Sequence, residues 1–316
     1  MTQRTVSVGV AGVGSLGFHH ARIYNDLPEV ELVGIYDTDA ERAAEVAGQF
    51  NARPFTSLDE MAEAVEAASV VVPTDHHREV AGLLMDHGVH LLVEKPIAVT
   101  TVEAEQMVAM AQARNVILQV GHIERFNPVL EFLEEAVDRP RFIEAHRLSP
   151  YPPPRDGLHP RGTEVSVVLD LMIHDLEIIL HLVQSNVTDI RAVGVPVLSP
   201  TEDIANVRLQ FENGCIANIT ASRISPERMR KIRVFLDDAY ISLDYQQQAG
   251  ELYRKKEGAI VRRSVPIEKG EPLALELHAF AACVAHHADP LVSGEHAANA
   301  LKLAVQIMQA IRKGST

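Results

Sequence analysis

Thr5-Val6-Ser7-Val8-Gly9-Val10-Ala11, followed without a break by Gly12-Val13-Gly14-Ser15-Leu16-Gly17, decides how the rest of the chain is read. The first seven residues alternate and then run apolar, as a strand buried in a parallel sheet does. A helical stretch from Phe18 to Leu27 follows, and a second apolar run, Val30 to Tyr36, ends at Asp37, twenty residues beyond Gly17. Strand, glycine turn, helix, strand and acidic residue, in that order, form the dinucleotide-binding fingerprint. Gly12 permits the tight turn, Gly14 lets a pyrophosphate approach the backbone, and Gly17 lets the helix pack close to the strand. Free N–H groups where the helix opens, at Ser15 and Leu16, attract phosphate. Asp37 is expected to accept hydrogen bonds from the adenosine ribose. Its neighbour Thr38 offers no basic group to a 2′-phosphate, which favours NAD over NADP. A ligand-free glycine turn is the competing reading, and the flanking strands and the spaced acid weigh against it.

The same alternation continues outward from this stretch. Helix signals over Ala40–Phe50 (Asp39 as N-cap), from Leu58 through Ala67, up to His87 and over Val102–Arg114 alternate with apolar runs at Ser69–Val72, Val89–Val93 and Val116–Val120. Strands alternating with helices predict a doubly wound parallel sheet, here a nucleotide-binding domain over residues 1–122. Ligands on such sheets lie beyond the strand C-termini. Pro73, Thr74 and His77 follow one strand and Glu94-Lys95-Pro96 follows the next, so all are candidates for the cofactor site. A lysine at that rim can stabilise an alkoxide as hydride leaves. A solvated lysine is the plain alternative.

Residues 123–316 read differently. A helix over Pro128–Ala136 and a strand over Arg141–Leu148 lead into a proline-rich loop, Ser149–Thr163, that carries Arg155 and Arg161. Prolines stiffen that loop, so presenting two arginines to an anion costs little entropy; an exposed linker is an equal reading. In a helix over Val165–Val183, Asp170, His174, Glu177 and His181 recur at helical spacing on one face. That stripe is an active-site wall, a metal site or a wet face. Metal is the weakest option because no metal-binding spacing accompanies it, and no metal is expected. Beyond Thr188 three hairpins, one turning at Glu212-Asn213-Gly214, predict a largely antiparallel sheet of about six strands, and two helices, Pro272–His287 and Glu295–Ile311, close the chain. One sheet face needs cover, and self-association as a dimer or tetramer would supply it.

Composition sets outer bounds. The 316 residues carry a net charge of −14, which disfavours nucleic acid and anionic membranes as partners. Two cysteines far apart imply no disulfide framework, and no apolar run approaches a membrane span, so a reducing cytoplasm is expected.

Taken together, GVGSLG, the Pro73-Thr74 turn before a histidine-bearing helix, Glu94-Lys95-Pro96, Arg125-Phe126-Asn127-Pro128, Asp170-Leu171-Met172-Ile173-His174 and Pro290-Leu291-Val292-Ser293-Gly294 resemble the Gfo/Idh/MocA oxidoreductases. The resemblance spans nearly the whole chain. It departs from the common pattern at Met172, where many members have glycine. The family pairs a Rossmann domain with an α+β domain, uses NAD(P), and acts mostly on sugars, sugar nucleotides and cyclitols. By that resemblance Lys95, Asp170 and His174 are the catalytic residues, with lysine or histidine as proton acceptor. Substrate contacts are expected from His122, Arg125, Arg147, Arg155 and Arg161, whose charge suits a diphosphate. The Gly121–Pro128 and Leu171–Asp175 segments look like the UDP-N-acetylglucosamine 3-dehydrogenase subgroup, so a UDP-amino sugar is favoured. A free sugar or inositol is the alternative substrate. A non-catalytic NAD-binding protein of the same fold is the alternative function.

Overall fold

The structure is a computed structural model that describes residues 4–154, 160 and 162–314. The chain divides into two compact units, one comprising residues up to Arg125 plus Glu271–Ala298, the other Phe126–Gly270 and the residues from Asn299 onward.

The first unit opens with β1 (Val6–Ala11), α1 (Ser15–Asp26), β2 (Val30–Tyr36), α2 (Ala40–Gln49), β3 (Arg53–Pro54) and α3 (Leu58–Ala62). It continues with β4 (Ala67–Val70), α4 (His77–Asp86), β5 (His90–Glu94), α5 (Thr101–Arg114) and β6 (Leu118–Gly121). The six strands form a parallel sheet in the order β3-β2-β1-β4-β5-β6, with the order reversing on either side of β1. That reversal is the topological switch at which such sheets bind ligands. Helix starts follow side-chain chemistry. Asp39 accepts from the N–H groups of Glu41 and Arg42, and Thr100 forms a reciprocal capping box with Glu103. Several boundaries shift by a few residues from the sequence expectation, α1 opening at Ser15 rather than Phe18, and the shift at β4 has a clear cause. The third helix stops at Ala62, and the following strand begins at Ala67 rather than Ser69. Ala67 and Ala68 have helical propensity, but both are fully buried on a strand flanked by β1 and β5, and tertiary packing overrides propensity there.

The second unit contains α6 (Pro128–Ala136), β7 (Phe142–Leu148), a π-helical turn (Val168–Met172) running into α7 (Ile173–Val183), and β8 (Val187–Val195) through β14 (Ala259–Val265). Between these last two lie β9 (Ile204–Phe211), β10 (Ile216–Ser222), β11 (Met229–Phe235), β12 (Ala239–Asp244) and β13 (Ala249–Lys256). Its sheet has eight strands, not six, because β7 and β8 join the three hairpins. All pairings in it are antiparallel except β7 with β10. Along β7, Ile143, Ala145 and Arg147 point inward and are buried, while Phe142, Glu144 and His146 alternate outward. The inner face packs on α6, α7 and the later part of the final helix through Leu130, Leu176, Ile179, Ile307 and their neighbours. The outer face carries a cross-strand aromatic ladder, Phe142–Phe235–Tyr240–Tyr253, with centroid spacings of 5.4, 4.7 and 5.3 Å.

Two helices end the chain, α8 (Pro272–His286) and α9 (Gly294–Gly314). In place of the expected single boundary at residue 122, the chain passes between the two units three times, after Arg125, after Gly270 and after Ala298. Leu273, Leu277, Phe280 and Val284 of α8 join Val8, Val10, Ala21 and Tyr24 in the core of the first unit. This apolar stripe at helical spacing returns residues 271–298 to the nucleotide-binding half.

Candidate active site

The glycine turn is built as the fingerprint requires. Gly12 has φ +88°, and a Cβ there would come within 2.7 Å of the Val71 carbonyl oxygen. At Gly17 a Cβ would lie 1.9 Å from the Gly12 carbonyl oxygen, so only glycine lets α1 pack this close to the turn. Gly14 is different: a Cβ there would meet nothing of the protein within 4 Å. The missing side chain at Gly14 answers no packing demand inside the chain. It keeps clear the surface a pyrophosphate would use. Gly14 is also the N-cap of α1, no side chain caps that end, and no acid occupies its first turn. The donors at Ser15 and Leu16 thus sit at an uncapped positive helix end, which suits phosphate.

Asp37 has a second duty besides the one expected. Its Oδ2 accepts from the Val13 N–H at 2.7 Å and its Oδ1 from the Asp39 N–H at 3.0 Å, so it ties the glycine turn to the end of β2. A carboxylate has about four acceptor positions, and two remain for ribose hydroxyls. Arg42, which drew no notice in the sequence, donates from Nε to the Val13 carbonyl at 3.1 Å and braces the turn from α2. These residues fit NAD.

At the ends of the next strands the expectations divide. Pro73, exposed, and Thr74, half-buried, lie in the turn between β4 and α4. His77, expected at the cofactor, is buried, with Nε2 3.0 Å from the Val72 carbonyl and Nδ1 3.0 Å from that of Pro96. Burial holds its pKa below the ordinary histidine value even though those carbonyls favour the charged ring. His77 is therefore a strut joining two strand-end loops. Glu94 and Lys95 are half-buried, and Glu94 Oε2 accepts from the Lys95 N–H at 3.3 Å. Gly121 makes room beside them: a Cβ there would fall 2.9 Å from the Glu94 carboxyl. His122 is fully buried, and its pKa is lowered to about 3 by burial first, then by the charges of Lys95, Arg125 and His296. It is a neutral imidazole at any physiological pH. Arg125 is buried too.

In the second unit, Asp170 lies in the π-helical turn and His174 in the first turn of α7. The wider turn breaks the regular 3.6-residue spacing assumed for the polar stripe. Gly162, with φ +81°, accommodates Asp170: a Cβ there would lie 2.5 Å from Oδ2. Glu177 is buried, and His181 pairs with Glu134 at 3.1 Å, so the far end of the stripe is structural. Met172 is fully buried core. Arg147, expected at the substrate, points inward and makes a two-pronged pair with Asp175, at 2.8 and 3.0 Å. This pair ties β7 to α7 next to His174. Arg155 and Arg161 lie outside the described residues.

One group in this unit escaped the sequence reading. Arg223 is buried and donates to Asp203 Oδ1 (2.8 Å), to the carbonyls of Gly162 and Val165 (2.6 and 2.8 Å), and to Ser199 and Thr201. Burial works against the Asp203 charge, but hydrogen bonds from Ser199, Arg223 and the Leu198 N–H win and pull its pKa well down. The pair anchors the segment that precedes the Asp170 turn.

Comparison with known proteins accords with these two halves. Residues 6–122 match the oxidoreductase family with an NAD-binding Rossmann fold, and residues 133–242 match the GFO/IDH/MocA C-terminal domain. The chain is similar to UDP-N-acetylglucosamine 3-dehydrogenase of Acidithiobacillus ferrooxidans, 37% identical over 96% of each chain. The solved structure of that enzyme superposes with a TM-score of 0.91 at 36% identity over 98% of both chains. It is more distantly similar to the NAD-dependent scyllo-inositol 2-dehydrogenase of Bacillus subtilis, 24% identical over 99% of this chain and 96% of that one. Levoglucosan dehydrogenase in complex with NADH and levoglucosan shares the fold, with a TM-score of 0.86 at 18% identity over 98% of each chain. The chain belongs to the Gfo/Idh/MocA family of NAD-binding oxidoreductases.

Proposed function

We propose that this protein is an NAD-dependent dehydrogenase that oxidises a ring hydroxyl of a UDP-amino sugar, with UDP-N-acetylglucosamine the leading substrate. The observation that carries the reading is the 37% identity, sustained over 96% of each chain, to an enzyme named for that reaction. The inositol dehydrogenase at 24% identity lends the cyclitol alternative much less weight.

NAD, when bound, supplies the hydride acceptor. The glycine turn, the start of α1 and Asp37 bind it, with Glu94 beside Lys95. His174 takes the proton of the reacting hydroxyl at Nε2, its Nδ1 being buried. Lys95 donates to the same oxygen and stabilises charge developing there. Asp170 orients the substrate, and Arg147 holds α7 through Asp175 so that His174 keeps its aim. His122 is neutral, so it contributes a directional hydrogen bond and no charge. Arg125, Arg155 and Arg161 supply the positive charge that a diphosphate needs.

The reading extends to assembly and setting. The aromatic ladder on the outer face of the eight-stranded sheet suits a second copy of this chain as cover, and the mass in solution by light scattering tests it. No helix among the described residues is long and apolar enough to cross a membrane, and Cys215 and Cys283 are both free thiols, which suits the cytoplasm.

The deciding assay follows NADH formation at a fixed NAD concentration with UDP-N-acetylglucosamine, UDP-glucose, myo-inositol and free hexoses, and with NADP in parallel. Turnover confined to the UDP-amino sugar is expected. Turnover with myo-inositol alone would move the protein to the cyclitol enzymes.

A further inference from the structure

Beneath the Glu94-Lys95 strand end lies a line of buried polar side chains that the proposed chemistry does not use. Tyr24 and His20 of α1 and Ser69 of β4 are all fully buried. The Tyr24 hydroxyl is 2.9 Å from Ser69 Oγ, Ser69 Oγ is 3.0 Å from His20 Nδ1, and His20 Nε2 is 3.2 Å from Glu94 Oε1.

The direction of this chain follows from counting donors. The Glu94 carboxylate can only accept, so His20 Nε2 carries the ring hydrogen, Nδ1 faces Ser69 as an acceptor, and the Ser69 oxygen is left to accept from the Tyr24 phenol. Ser69 thus spends its own proton on His20 Nδ1. Glu94 is thereby held at both oxygens, Oε1 by His20 and Oε2 by the Lys95 N–H. Its side chain remains 12% exposed, with about two acceptor positions left over. The chain ends at a buried phenol, so it has no outlet for a proton. It is built as a lock and not as a relay.

A second carboxyl sits nearby. Glu276 of α8 is fully buried, and burial, aided by the charge of Glu94, raises its pKa well above the carboxylate range. Glu276 therefore keeps its proton, and Glu94 is the carboxylate of the cluster that His20 addresses.

We propose that Tyr24, Ser69 and His20 are positioning residues that fix the tautomer of His20 and, through it, the orientation of the Glu94 carboxylate toward NAD. The inference rests on Glu94 belonging to the cofactor site. It does not depend on which sugar is the substrate.

The test is NAD binding by calorimetry on the full chain, with a thermal melt for every variant. Glu94→Gln reports whether Glu94 matters to NAD. Ser69→Ala, a small change that leaves His20 in place, and His20→Ala should each weaken NAD by about tenfold, the worth of one charge-assisted hydrogen bond. His20→Gln, which keeps a donor near the Nε2 position, should recover part of that loss. Ser69→Ala should add nothing further in the Glu94→Gln background, because the lock then has nothing to hold. Glu276→Gln, already neutral in function, should bind as wild type does. If Glu94→Gln weakens NAD while Ser69→Ala and His20→Ala bind normally, the positioning role is wrong and the cofactor site stands. Additive losses in the double variant would reduce the chain to packing. Normal NAD binding in Glu94→Gln would remove both the cofactor role of Glu94 and this inference. Should His20→Ala fail to fold, Ser69→Ala and the double variant decide the matter alone.

Discussion

The three glycines of the turn make separable demands, and substituting alanine at each should separate them. In Gly17→Ala the new methyl falls 1.9 Å from the Gly12 carbonyl oxygen, a main-chain atom that cannot swing aside. Alanine gains about 1 kcal/mol of helix propensity over glycine, but forcing α1 off the turn costs about 3 kcal/mol or more. The net loss of some 2 kcal/mol or more should lower the melting temperature by roughly 4–8 °C for a unit of this size. In Gly14→Ala the methyl meets nothing within 4 Å. The fold then loses only the N-cap preference for glycine over alanine, at most about 1 kcal/mol. A bound pyrophosphate, however, would meet that methyl. Steric intrusion of about 1–3 kcal/mol corresponds to NAD binding weakened about fivefold to 150-fold. Calorimetric titration with NAD beside a thermal melt reads both quantities. Gly14→Ala should stay folded and lose NAD, while Gly17→Ala should lose stability outright. If Gly14→Ala binds NAD within twofold of wild type, no phosphate passes over Gly14 and the argument from its open space is wrong.

Lys95→Ala and His174→Asn should each keep NAD affinity yet turn over at least about a hundredfold slower, as loss of a charge-stabilising donor or a positioned base implies. The pH–rate limb that survives in each variant belongs to the residue left behind, and near-normal rates in both would remove these residues from the chemistry. Asp203→Ala strands the buried Arg223 without its counter-charge, which should destabilise the fold by about 3–5 kcal/mol in urea unfolding; a loss below 1 kcal/mol would mean that the remaining acceptors of Arg223 suffice. For His122 the native pKa, about 3, lies below the ordinary 6.5. The unfolded chain therefore binds a proton below pH 6.5 that the native state refuses. Stability is full above that pH and falls as pH drops toward 3, by about 1.4 kcal/mol per unit from this one ring. His122→Asn should flatten the slope between pH 6.5 and 4 in urea unfolding, and an unchanged slope would show that His122 is not the source.

The first unit was legible because its signals are local and redundant. The apolar runs of the parallel sheet alternate with helices, three of them opened by the side-chain caps Asp39, Ser57 and Thr100, and the glycine spacing fixes the turn whatever lies beyond it. The first two residues of β4 fall outside the expected strand for the converse reason: two alanines carry no strand signal, and only burial between β1 and β5 makes them one. Site residues divide along the same line. Gly12, Gly14, Gly17, Asp37 and Lys95 stand out as candidates because motif and strand end coincide there. His77 and Arg147 were assigned to ligands because a polar side chain in a motif looks available, and nothing in the sequence shows that the Val72 and Pro96 carbonyls claim one and Asp175 the other. Yet the register held a warning. Arg147 continues the inward series Ile143, Ala145, and Glu276 lies on the stripe that includes Leu273, Leu277 and Phe280. A charged residue at an inward position must find a partner or give up its charge. Arg147 took the first course with Asp175, and Glu276 took the second beside Glu94. Periodicity can therefore reveal that an inward polar group needs explaining, but its partner stands 28 residues away for Arg147 and 74 for His20, and only the folded chain names it.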